Sequence, residues 1–115
     1  MHELSIAMSI VDCAVEESER RGGVKVVAIH LKLGPLSGVV KEALLSAYEM
    51  ASEVSELQGS RLVIEDVPVS AFCSRCGVEQ EIVSIQEMCC PECGTPTPDI
   101  RRGRELEVTA LEIEG

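Results

Sequence analysis

Cys73-Ser74-Arg75-Cys76-Gly77 and Cys89-Cys90-Pro91-Glu92-Cys93-Gly94 are the stretch from which the rest of the chain is read. Two C-x-x-C pairs, Cys73/Cys76 and Cys90/Cys93, are separated by thirteen residues. With Zn–S bonds of ~2.3 Å, such pairs bring four thiolates to the corners of a tetrahedron about 4 Å on edge. Gly77 and Gly94 each follow the second cysteine of a pair, where the backbone must turn tightly and glycine permits φ > 0. The segment 79–87 between the pairs alternates weakly through Ile82, Val83 and Ile85 and is long enough for a hairpin, so the unit reads as a zinc ribbon.

Disulfides, a redox C-x-x-C and a rubredoxin-like iron site compete with zinc, since iron also accepts four thiolates. Doubling of the pairs favours structural zinc. A closed four-thiolate site leaves no open position for catalysis. Metal binding of about 10–16 kcal/mol would supply much of the folding free energy of a module with so few apolar residues.

Around this module, 115 residues leave room for one small core. Tyr48 and Phe72 are the only aromatics, so that core must be aliphatic. The formal net charge of −10 argues against a nucleic-acid partner, because Arg101, Arg102 and Arg104 are the only tight basic cluster. The first residues lack a basic n-region and no run of eighteen apolar residues occurs, which predicts a cytoplasmic protein without membrane contact. Reduced thiols in that compartment again favour a metal.

Residues 4–21 place Leu4, Ala7, Met8, Val11, Ala14 and Val15 at helical spacing, closed by Gly22-Gly23. Cys13 falls on a neighbouring stripe with Ile6 and Ile10 and reads as a small buried hydrophobe. Residues 24–33 alternate as a half-buried strand that puts His30 on its polar face, and Gly34-Pro35 breaks it. Ser37 or Gly38 opens a second helix through Val40, Leu44, Ala47, Tyr48, Ala51 and Val54. Residues 61–69 are a strand, with Pro68 at an edge or exit. After the cysteines, residues 95–103 read as a connection. Residues 105–114 form a strand whose phase shifts between Val108 and Leu111, as at a bulge.

The predicted fold class is therefore α/β: a small three-stranded sheet with two helices plus an inserted zinc-ribbon module. Residues 1–69 form the α/β domain, 70–102 the zinc ribbon, and 103–115 a C-terminal strand returning to the first domain.

Met1-His2-Glu3 carries a second chelating possibility. The α-amine of Met1, the amide nitrogen of His2 and its Nδ1 can close a five-membered and then a six-membered ring on one metal. The backbone nitrogen or carboxylate of Glu3, or a group from elsewhere, can take the fourth position. Planar nitrogen ligation suits Ni(II) or Cu(II), whereas zinc is served by the thiolates. The bulky His2 predicts that the initiator methionine is kept.

Met1-His2-Glu3-Leu4-Ser5, Leu33-Gly34-Pro35-Leu36-Ser37, Glu42-Ala43-Leu44, the C-x-x-C pairs, Cys90-Pro91-x-Cys93 and Gly103-x-Glu105-Leu106 together resemble the HypA/HybF family of hydrogenase nickel-incorporation proteins. The resemblance spans nearly the whole chain. It implies a nickel metallochaperone for NiFe-hydrogenase maturation and no catalysed reaction. It further implies nickel binding at Met1, His2 and Glu3, and structural zinc at Cys73, Cys76, Cys90 and Cys93. The implied partners are a HypB-type GTPase, the NiFe-hydrogenase large subunit and, in some organisms, urease maturation proteins. Cys89 departs from the family pattern. Its pairing with Cys93 would enlarge the knuckle loop, so it is expected outside the zinc shell. The reading of a different class is a zinc-ribbon adaptor for proteins or nucleic acid, without exchangeable nickel.

Overall fold

The computed structural model describes residues 2–114. Helix α1 spans Glu3–Arg20, β1 Val26–Leu33, a 3-10 turn Pro35–Ser37, α2 Lys41–Glu53, β2 Arg61–Asp66, β3 Ser70–Cys73, β4 Val78–Glu81, β5 Asp99–Arg102 and β6 Leu106–Ile113. They form two sheets of three strands, ordered β2-β1-β6 and β4-β3-β5.

β1 is the centre of the first sheet because it is the most apolar strand. Val26, Ala28, Ile29, Leu31 and Leu33 are all buried. It pairs parallel with β2, Ala28 opposite Arg61, and antiparallel with β6, Leu33 opposite Leu106. The register with β6 slips between His30 and Leu31, where Ala110 and Val108 are the successive partners and Thr109 is extra. That is the bulge expected between Val108 and Leu111. β6 returns to β1 only after the second sheet is complete, so the ribbon is inserted between β2 and β6.

The core joins Ile6, Ile10 and Ala14 of α1 and Leu44, Ala47 and Tyr48 of α2 to Ile29, Leu31 and Leu62 of the sheet. It is aliphatic apart from Tyr48, whose hydroxyl meets Ser60 Oγ at 2.6 Å. α1 ends where Gly22 and Gly23 take φ of 86° and 83°, and the Gly23 N–H donates to the Ser18 carbonyl at 2.8 Å.

Five local expectations are corrected. Helix α2 begins at Lys41, since Pro35 starts a separate 3-10 turn and Gly38 closes it with φ of 80°. The strand begun at Arg61 stops at Asp66, and Val67–Val69 cross to the ribbon. The 95–103 segment is more than a connection: Asp99–Arg102 is a strand paired with β3. β4 likewise finds its partner in β3 rather than within 79–87, where a single Ser84–Glu87 bridge forms. Finally, Leu4 and Met8 are exposed on α1 although they lie in the predicted apolar stripe, and Cys13 is exposed as well. The buried face of α1 is centred on Ile6, Ala7 and Ile10 instead.

The chain crosses between the two sheets twice, and the returning crossing meets the turn after β1 through glycine backbone. The Gly34 N–H donates to the Glu105 carbonyl at 2.8 Å and the Leu36 N–H to the Gly103 carbonyl at 2.7 Å. The Glu105 carboxylate accepts the Gly103 N–H at 2.7 Å. A Cβ on Gly34 would lie 2.1 Å from the Gly103 oxygen, and one on Gly103 would lie 2.8 Å from Val69 Cγ2. Gly34 has an ordinary φ of −102°, so space alone demands the absence of a side chain there. Gly34→Ala should cost about 3 kcal/mol in urea denaturation, the upper end of overpacking. Gly59→Ala, with φ of 87° and open space around the new methyl, should lose about 1 kcal/mol. Equal losses would remove the seam as the reason for Gly34.

Candidate metal centre

Each C-x-x-C pair is a turn built in the same way. In the first, β3 ends on Cys73, the Cys76 N–H points at Cys73 Sγ at 3.4 Å, and the Gly77 N–H donates to the Cys73 carbonyl at 2.7 Å. In the second, the Gly94 N–H donates to the Cys90 carbonyl at 2.8 Å. Gly77 and Gly94 have φ of 70° and 74°, a left-handed turn that glycine adopts without steric cost. The turns face each other. Cys73 Sγ is 3.5 Å from Cys93 Sγ and Cys76 Sγ is 3.9 Å from Cys90 Sγ.

All four sulfurs lie within 4.8 Å of one another. Tetrahedral zinc with bonds of ~2.3 Å requires sulfurs roughly 3.8 Å apart, so the donor set fits the ion in number, softness and separation. Cys73 and Cys90 are buried, Cys93 is half-buried and Cys76 is exposed at the rim. The sulfurs polarise one another. Hydrogen bonding to Cys93 and then to Cys73 pushes the Cys76 thiol up to about 12. Thr95, through its hydroxyl 3.1 Å from Cys93 Sγ and then its backbone, brings the Cys93 thiol down to about 6. The Thr95 contacts thus favour the thiolate form of Cys93.

Two threonines that sequence reasoning passed over hold the second turn. Thr95 accepts the Cys90 N–H at 2.8 Å through its carbonyl. Thr97 is fully buried and donates both its N–H, at 2.8 Å, and its hydroxyl, at 3.0 Å, to the Met88 carbonyl. The Thr95-Pro96-Thr97-Pro98 run directly after Gly94 was the available signal. On the outer face of the ribbon, the Arg101 guanidinium sits 4.9 Å from the Phe72 ring centroid and pairs with Asp99 at 2.7 Å. Arg102 pairs with Glu79 at 3.1 Å, and Glu79 also accepts from the Ser70 hydroxyl. Those contacts, Ser70 first, hold the Glu79 carboxyl below its ordinary range.

The remaining candidates stand apart. Cys89 is exposed and lies outside the four-sulfur group, joined to Pro96 by an isolated β-bridge. His30 reaches Glu112 at 3.1 Å on the sheet. His2 is exposed and caps α1 with φ of −85° and ψ of 127°, while Met1 lies outside the described residues. Glu3 opens the helix, and its carboxylate accepts the Val40 N–H at 3.3 Å, tying the start of α1 to the start of α2. Among the described residues the four cysteines are the one convergent group of His, Cys, Asp or Glu side chains.

A family model for hydrogenase/urease nickel incorporation, the metallochaperone HypA, matches residues 1–113. The chain belongs to the HypA family. It is 43% identical over 114 residues to the hydrogenase maturation factor HypA of Roseiflexus sp. strain RS-1, covering 99% of this chain and 93% of that protein. It is 39% identical over 114 residues to the HypA of Geobacter metallireducens, covering 99% of this chain and all of the relative, 100%. The solution structure of the Ni metallochaperone HypA from Helicobacter pylori shares the fold, with a TM-score of 0.67 at 24% identity over 98% of this chain and 97% of that one. A second HypA solution structure has a TM-score of 0.72 at 24% identity, covering 99% of this chain and 97% of that one.

Cys89→Ser should keep one tightly held metal per chain, whereas Cys73→Ser should lose it together with the protection of β3–β5 amides from hydrogen exchange. Mass spectrometry under native conditions reads the first and exchange the second. Loss of the metal from Cys89→Ser would place that thiol among the ligands.

Proposed function

We propose that the chain is a nickel metallochaperone for NiFe-hydrogenase maturation, with Met1, His2 and Glu3 holding Ni(II) as cargo and Cys73, Cys76, Cys90 and Cys93 holding structural zinc. Residues 1–69 and 103–115 are the nickel-binding domain and 70–102 the zinc ribbon. The carrying observation is the match to the HypA family over residues 1–113, which includes the first three residues. Its partners are a HypB-type GTPase and the hydrogenase large subunit, with urease maturation proteins as further recipients where they occur.

The physical case for the terminus starts from what a helix leaves unsatisfied. The first N–H groups of α1 have no acceptor within the helix, so the amides of His2 and Glu3 are not committed to its ladder. An amide that loses its proton there becomes a nitrogen ligand without breaking helix hydrogen bonds. The Glu3 carboxylate already accepts from Val40, which leaves its backbone nitrogen as the better fourth donor. Planar nitrogen donors favour Ni(II) over zinc.

The same helix end also favours release. Its partial positive charge opposes a bound cation, and protonation of the amides and amine removes the ligands one by one. The cysteine cluster lies away from that helix end, and its four soft sulfurs, two of them buried, converge from the paired turns. When bound, zinc supplies a cross-link between the two turns, and Thr95 holds Cys93 ready for it. The adaptor reading is weaker for nucleic acid, because Arg101 and Arg102 are already paired with Asp99 and Glu79.

The test is a nickel titration of the zinc-loaded, untagged chain beside the same chain extended by one N-terminal glycine, with both metals counted after gel filtration. The native terminus should take up one nickel and the extended form none, with zinc unchanged. His2→Ala should weaken uptake by at least about a hundredfold, the loss of one ring of the chelate, about 2.7 kcal/mol. Equal uptake by all three would move nickel away from the terminus. Uptake should also fall steadily as pH drops from neutral toward acid, because protons compete for every donor named.

A further inference from the structure

The exposed apolar residues of α1 and α2 are not scattered. Leu4 and Met8 on α1 and Met50 and Val54 on α2 are 45%, 54%, 63% and 89% exposed. All four line one open groove between the two helices, floored by Val11 and Ala51. A second stretch shares Val11, Asp12, Val54 and Ser55 with the first and adds Glu16, Glu19 and Glu56 to its lining. From Leu4 to Glu19 the two stretches follow α1 for about 22 Å, at 1.5 Å per residue.

The two ends differ in chemistry. The end beside His2 is apolar, and the far end is acidic. No lysine or arginine lines either stretch. Arg20 and Arg21, the nearest cations in sequence, are both paired with Glu17. Asp12, Glu16 and Glu19 succeed one another at spacings of four and three, so they stack on one face of α1 with mutual repulsion that the helix itself does not relieve.

We propose that this groove docks a basic amphipathic helix of a partner protein, its apolar side chains seated between Leu4, Met8, Met50 and Val54 and its lysines or arginines against the acidic end. Helix-in-groove recognition needs an apolar channel a few turns long, and the flanking carboxylates specify the charge of the occupant. A second copy of this chain fits poorly, because its own groove brings no cation to these carboxylates. The asymmetry orients the partner with its apolar end toward His2. Docking rests on the groove alone and stands whether or not nickel sits at the terminus.

The experiment uses the full, zinc-loaded chain labelled with 15N and a synthetic amphipathic helical peptide of about 18 residues, five turns, with leucines on one face and lysines along its flank. The same peptide with glutamates for lysines is the counterpart. The lysine peptide should shift amide resonances along α1 and α2 and leave β3–β5 unmoved, and the glutamate peptide should not bind. Met8→Glu should weaken the lysine peptide by about tenfold or more, about 1.4 kcal/mol. Asp12→Lys with Glu16→Lys should transfer the preference to the glutamate peptide. Both are exposed substitutions, and unchanged ribbon and sheet resonances verify the fold. Shifts centred on the ribbon or on β6, equal binding of the two peptides, or undiminished binding to Met8→Glu would each overturn the proposal. So would a dimer of the free chain that Met8→Glu dissociates, which would make a second copy the occupant.

Discussion

Two backbone strands pass each other at Gly34 and Gly103 with no side chain between them, and the arrangement of the molecule depends on that approach. β1 runs into Gly34, and β6 starts just beyond Gly103, so the seam sets where the central strand ends and where its antiparallel neighbour begins. The outgoing segment is fastened alongside: the Val67 N–H donates to the Leu33 carbonyl, and the Ile82 N–H to the Val69 carbonyl, both at 2.9 Å. Val69 touches the Gly103 backbone and packs with Ala71 and Ile82 in a small core of the ribbon. That core holds three buried residues, far too few to order a sheet without help. The ribbon is thus held at its base by main-chain hydrogen bonds and at its tip by the sulfur cluster.

This division separates two kinds of metal ligand physically. The sulfurs are carried by two turns shaped by the left-handed glycines, with the carbonyl of Thr95 and the buried Thr97 bracing the second. Four soft donors converging from such turns favour a metal that stays. At the other end of the chain, His2 and Glu3 sit on a helix terminus that the Glu3 carboxylate ties to Val40. The donors proposed there for nickel are mostly main-chain nitrogens, which would have to lose protons to bind and regain them to let go. Under the proposed function, softness and geometry act in the same direction, so the two locations would need no further device to keep zinc and nickel apart.

How legible this was in the sequence follows the same physics. The cysteine pairs, Gly77 and Gly94 were readable because metal geometry tolerates few alternatives. The order of helices and strands was readable from periodicity, and the bulge in β6 from its broken alternation. β5 was not, because Asp99-Ile100-Arg101-Arg102 has one apolar residue in four and becomes a strand only through β3. The start of α2 misled because Ser37 and Gly38 look like a helix cap, while Gly38 in a left-handed conformation closes the preceding turn. Thr95 and Thr97 were missed because a threonine that supports a ligand leaves no spacing rule behind.

Leu4, Met8 and Cys13 expose the limit of a helical stripe as evidence of burial. Periodicity reports which residues share a face, and a face about a hundred degrees wide has two margins. On α1 the sheet and α2 cover Ile6, Ala7, Ile10, Val11 and Ala14, and the margins reach past their cover on both sides. Cys13 lies on the side toward Leu31, Leu106 and Val108, and Leu4 and Met8 lie on the side toward Met50 and Val54. Among the described residues there are two α-helices, and no third closes either flank. The apolar margins therefore remain open wherever the sequence does not replace them with polar residues, and on the α2 side it does so only beyond Asp12. The change from apolar to acidic along one helix face is thus a property of the sequence that burial does not explain. It gives the surface beside His2 a direction as well as a chemistry.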